Sequence, residues 1–158
     1  MDDVMARVVA AVGRGHAGDR AAARRELEAV WAEVEQGGGD AFHRCAIAHY
    51  TADLQDDDRA ELMWDERALA AVDGLSDGRA QEFHESLRVR AFLPSLYLNL
   101  ADDHRRLGDV DRAQEFLARA RAASTELGDD AYGDVVRGGL DDVGRALAEG
   151  STDRLPGH

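Results

Sequence analysis

Apolar residues recur three and four positions apart along almost the whole chain, as at Phe83, Leu87 and Ala91 and again at Leu98 and Ala101. That period gathers them on one face of a helix, whereas strict alternation would have indicated strands. Polar punctuation divides the pattern. Asp19, Asp40, Asp58, Asp77, Asp111 and Asp130 each precede a periodic run, where an aspartate carboxylate accepts from the unpaired first-turn amides and meets the positive end of the helix dipole. Gly15 and Gly18, the triplet at 37–39, Gly74, Gly108 and Gly128 separate the runs. The elements predicted are helices over 2–13, 19–36, 40–55, 58–73, 77–92, 94–107, 110–127 and 130–149. The apolar stripe continues across Pro94, which favours one bent helix over 77–107 above a fresh start at the proline. The closing stretch "STDRLPGH" holds no core residue beyond Leu155, so a single domain over 1–150 with a flexible tail over 151–158 is expected.

Composition agrees with an all-α fold. Aromatics make up only 6% of the 158 residues, and the rest is rich in Ala, Leu, Glu and Arg, all strong helix formers. The formal net charge of −13 argues against nucleic acid and against an anionic membrane, both of which are bound through cations. It is compatible with a partner that carries basic patches. A lone cysteine excludes an internal disulfide, the acidic start Met1-Asp2-Asp3 is unlike a secretory signal, and no apolar run approaches a bilayer span. A cytoplasmic location is therefore expected. The acidic clusters 56–58 and 129–130 lack the spacing and terminal glutamate of a calcium loop, and helix capping accounts for them.

The chain also repeats itself. "LQDDDRA" at 54–60 matches "LGDVDRA" at 107–113 in five of seven positions, at an offset of 53, and the register continues through the pairs Ile47 and Leu100, Ala48 and Ala101, Ala60 and Ala113, Met63 and Phe116. A fainter copy, "GDRAAARREL" at 18–27, aligns with 108–117. These segments resemble the tetratricopeptide repeat, a pair of antiparallel helices with small residues at the crossing and large ones around it. The best copy reads Tyr97, Leu100, Ala101 and His104, then Gly108, Ala113, Leu117 and Ala120. Gln55 stands in for the turn glycine, Thr51 for the tyrosine and Thr125 for the final proline, and the spacing exceeds the family's 34 residues. The resemblance implies helix hairpins stacked as a short right-handed superhelix. The run carrying Ala131, Val135, Val136, Leu140, Val143 and Leu147 would cap one end.

The stretch "HRCAIAHYTAD" at 43–53 places candidate chemistry within this frame. At about 100° per residue, Cys45, His49 and Asp53 share a stripe with Phe42, while His43 lies roughly 200° away from Cys45. By the resemblance, that stripe lines a concave groove together with Ser95, Leu98, Asn99, Asp102, Arg105 and Arg106. Ile47, Ala48, Thr51, Tyr97, Leu100, Ala101 and His104 face the core. A surface position for Arg105 implies that changing it would leave stability nearly intact. One stripe of Cys, His and Asp supplies two ligands to a common ion more readily than three, and a further ligand would have to come from His84 or His104. His84-Glu85 does not open a zinc-protease motif, since position 88 is Arg. Trp31 and Trp64 are expected in the packing of the second helices.

The function implied is a module that binds a peptide or protein segment in its groove, without catalysis, metal or cofactor. The rival reading is a regulatory or catalytic protein that holds a metal or small molecule at Cys45, His49 and Asp53. Self-association through the same groove is the remaining alternative.

Overall fold

The computed structural model describes residues 2–73 and 91–156. All of the regular structure among them is helical: α1 (Asp3–His16), α2 (Arg20–Glu33), α3 (Ala41–Asp53), α4 (Asp58–Asp73), α5 (Leu93–Arg106), α6 (Val110–Ala123) and α7 (Ala131–Ala148). A π turn, Val34–Gly38, follows α2, and a 3₁₀ turn, Ser124–Glu126, follows α6. The helix expected over 77–92, with Asp77, His84 and the breaker Gly74, lies outside the described residues.

The chain divides into two compact units, Met1–Arg90 and Ala91–His158, where a single domain was expected over 1–150. The first holds two hairpins, α1–α2 and α3–α4, with α3 packed against α1, α2 and α4. Its core gathers Val8, Ala11, Ala23, Leu27, Val30, Val34, Ile47 and Leu54. In the second unit α5 and α6 form a hairpin and α7 packs on both. Leu96, Leu100, Ala101, Ala113, Phe116, Leu117, Val136, Leu140 and Val143 are buried there.

Aspartates start the helices as expected, with shifts of register. Asp19, Asp40 and Asp130 accept from the amides of Ala22, His43 and Gly133. The cap of α4 is Asp57 rather than Asp58, through Ala60 N, and that of α6 is Asp109 rather than Asp111, through Arg112 N. In each case the carboxylate three residues before a free amide makes the bond, and its acidic neighbour sits inside the first turn. Ala91 and Phe92 form a turn and α5 begins at Leu93 with the proline in its first turn. A bent helix running through Pro94 is therefore replaced by a fresh start, where the missing proline N–H costs no hydrogen bond.

The offset of 53 is visible in the fold, since it carries α3 onto 94–106 and the start of α4 onto 111. The two turns nevertheless differ. After α5, Gly108 takes φ +82, Asp109 N donates to His104 O at 2.8 Å and Gly108 N to Arg105 O at 3.0 Å. This is a left-handed termination that glycine adopts without strain. Gly18 closes α1 in the same way. After α3 no residue takes positive φ, and the buried Gln55 donates from Nε2 to Thr51 O at 3.0 Å. A side-chain amide thus satisfies a terminal carbonyl beside the turn.

The buried face of α7 keeps three of the six residues of the stripe expected, Val136, Leu140 and Val143, and Leu147 is half-buried. Gly133, Val136, Gly139, Leu140, Val143 and Ala146 are buried, whereas Ala131 and Val135 are exposed. A Cβ at Gly133 would stand 2.2 Å from the Gly128 carbonyl oxygen, so the close approach of α7 to the preceding turn there requires glycine.

Candidate functional site

A helix that is apolar over most of its circumference becomes buried over most of it. α3 is of that kind. Ile47, Ala48 and Thr51 are buried as expected, but so are Phe42 and Cys45, which the groove reading placed on an open wall. Cys45 has no exposed surface, and burial pushes its thiol up to about 12. It is therefore a neutral, packed thiol near pH 7 rather than a thiolate nucleophile. His49 is half-buried with its ring against Tyr50, at 5.1 Å between centroids. Desolvation lowers its pKa from 6.5 to about 4, so the ring is neutral near pH 7. Asp53 stands exposed at the end of the helix. The stripe is real as geometry, but it is not an open binding wall.

His43, set apart on angular grounds, turns out to be structural. Its amide donates to Asp40 Oδ1 at 2.9 Å, and the Asp40 amide donates back to His43 Nδ1 at 3.1 Å, closing a capping box. With Nδ1 accepting, Nε2 carries the proton and donates to Asp2 Oδ2 at 3.0 Å.

The candidate residues of α5 are drawn together, into an internal network. Arg105 is 2% exposed and donates from Nε and one terminal nitrogen to Asp102 Oδ1, at 3.0 and 2.7 Å. Arg106 donates to Asp102 Oδ2 and to Asp103 Oδ1, at 3.1 and 3.0 Å. All four side chains are buried. Two guanidinium groups facing two carboxylates leave no net charge for a ligand, and each pairing offsets the desolvation of its members. Arg105 also reaches the carbonyls of Ser151 and Asp153, at 2.7 and 2.8 Å. That bond pair ties down the first part of the tail. The expectation of a surface Arg105 is thus corrected: removing it leaves a buried carboxylate short of its cation. Ser95 donates to Tyr132 Oη, which donates to Ala91 O, each at 2.8 Å. Leu98 is buried and Asn99 half-buried. His104 stacks flat on Phe116 as a packing residue.

The accessible polar groups that do converge lie elsewhere in the first unit. Trp31 and Trp64 meet edge to face, 5.3 Å between centroids and 86° between planes. Arg67 sits over both rings, 4.5 Å from Trp64 and 5.5 Å from Trp31. Beside them is a hollow of about 330 Å³ lined by Trp31, Glu35, Arg44, Arg67, Ala70 and Ala71. Its construction follows from helix spacing. Trp31 and Glu35 stand one turn apart where α2 runs into the π turn, and Arg67, Ala70 and Ala71 share a face near the end of α4. Arg44 reaches it from the start of α3. The hollow exists because two alanines leave space beside the Trp31 indole. Burial of Trp64 was legible in the sequence, whereas Trp31 is half-buried and opens onto the hollow. The arginines around them were not legible, because their meeting joins positions 31, 44 and 67 across three helices.

No protein-family model, curated protein or solved structure matches this chain. Among the described residues no helix is long and apolar enough to cross a membrane.

Proposed function

We propose that this chain is a tetratricopeptide-like helical module that holds a segment of a partner protein and carries out no covalent chemistry of its own. The observation that carries the reading is the internal repeat, whose two copies correspond to the hairpins α3–α4 and α5–α6 at one offset. Repeated hairpins are a device for building extended recognition surfaces. The state of Cys45 points the same way, since a thiol with no exposed surface and a pKa of about 12 is a poor nucleophile at neutral pH. That speaks against a nucleophilic site at Cys45, His49 and Asp53.

The test is selection of a random peptide library, displayed on phage, against the full-length chain, followed by calorimetry with the enriched peptides made synthetically. The reading predicts enrichment of a shared motif and saturable binding of one peptide per chain. A library that emerges without any enriched motif overturns it.

A further inference from the structure

The hollow beside the tryptophan pair has the chemistry of a selective docking site. Carboxylates outnumber Lys and Arg in this chain by 32 to 19, and many arginines here pair with an acidic neighbour, while Arg14, Arg25, Arg59 and Arg121, which do not among the described residues, are exposed. Arg7 bonds Glu26 and Glu33, and Arg105 and Arg106 bond Asp102. Arg44 and Arg67 differ. Both are half-buried, and neither forms an ion pair or donates a hydrogen bond to a protein acceptor among the described residues. The guanidinium carbon of Arg67 lies over the indoles, 4.5 Å from the Trp64 centroid and 5.5 Å from that of Trp31. That placement leaves the N–H groups at the edge of a guanidinium able to take a carboxylate in a two-point contact. The half-buried indole of Trp31 supplies an apolar surface at the same place, and Glu35 supplies one negative charge.

We propose that the hollow bounded by Trp31, Glu35, Arg44 and Arg67 is the docking site for a partner polypeptide segment in which an acidic residue stands beside an apolar one, with a basic residue close by. The carboxylate is taken by Arg44 and Arg67, the apolar side chain lies on Trp31, and the basic residue meets Glu35. The charge of the whole chain supports a mixed segment over a purely acidic one. A formal charge of −13 repels a polyanion at long range and draws in a segment with basic flanks, while the two arginines select the acidic residue at contact. This site rests on the reading of the chain as a segment-binding module and locates that binding.

The peptides enriched on the full-length chain provide the test. They should share an Asp or Glu next to an apolar residue, with Lys or Arg within a few positions. Changing that acid to its amide in the synthetic peptide should weaken binding about tenfold or more, and Arg44→Gln should do the same while leaving the melting temperature nearly unchanged. Arg67→Lys, which keeps the charge but loses the planar two-point fork, should also weaken binding. Glu35→Gln should reduce affinity only for peptides that carry the basic residue. Enriched peptides that lack the acid, or whose affinity is indifferent to both Arg44→Gln and Arg67→Lys, overturn this site while leaving the module reading intact. A library with no enriched motif overturns both.

Discussion

His49 shows how a residue chosen as a binding candidate can act on stability instead. Its folded pKa is depressed from 6.5 to about 4 by burial. Between those values the unfolded chain takes up a proton that the folded chain excludes. Stability is therefore fully present above about pH 6.5, falls as pH drops toward 4, and levels off below. The contribution is on the order of 2–3 kcal/mol, given that the ring is only partly exposed. Urea unfolding of wild type and His49→Gln at pH 7 and pH 4.5 checks it. The loss of stability on acidification should be smaller in the variant by that amount, and equal losses would mean that the ring ionises in the folded state. The location of this residue on the stripe of Cys45 was readable from helix geometry alone. Its burial was not, because the stripe faces packing supplied by other helices of the first unit rather than a groove.

At the scale of single elements, the repeat was legible and its turns were only partly so. Gly108 fits both the motif and the left-handed φ of +82. Gly108→Ala should therefore cost roughly 1–2 kcal/mol, whereas Gln55→Ala should cost only about 1 kcal/mol through its lost bond to Thr51 O. Thermal melts of the two variants compare them directly. α7 gives the converse lesson. Its length and its amphipathic character were readable, and Val136, Leu140 and Val143 of the expected stripe are buried, but Ala131 and Val135 near its start are exposed. Gly133 and Gly139 belong to the buried face although they have no side chain to signal it. Val136 is 2% exposed and Val135 is 70% exposed. Val136→Ala should thus lower stability by about 1–2 kcal/mol and Val135→Ala by less than about 0.5 kcal/mol. Equal effects would mean that the helix packs on its other face.

Over the whole molecule, charge acts as a single quantity. With a formal net charge of −13, the folded chain concentrates like charges that the unfolded chain spreads apart, and added salt screens that repulsion. The melting temperature should rise when sodium chloride is raised from about 20 mM to about 300 mM. A fall would mean that the exposed attractive pairs, such as Arg7 with Glu33, outweigh the net repulsion. The all-helical class was legible from periodicity and composition, since both are properties of the chain averaged over many residues. The division into two units was not, because the repeat offset runs through the boundary without a change in composition.

The bonds from Arg105 to the carbonyls of Ser151 and Asp153 grip the chain by its main-chain atoms, and main-chain atoms are the same for every amino acid. The segment is thus recognised for its path and not for its spelling. Shuffling the side chains of 151–153 should leave the melting temperature nearly unchanged, whereas deleting residues 151–158 should lower it. Arg105→Gln and the deletion remove the same contact from opposite ends. Their losses should then overlap in a double-mutant cycle, the pair together costing clearly less than the two summed.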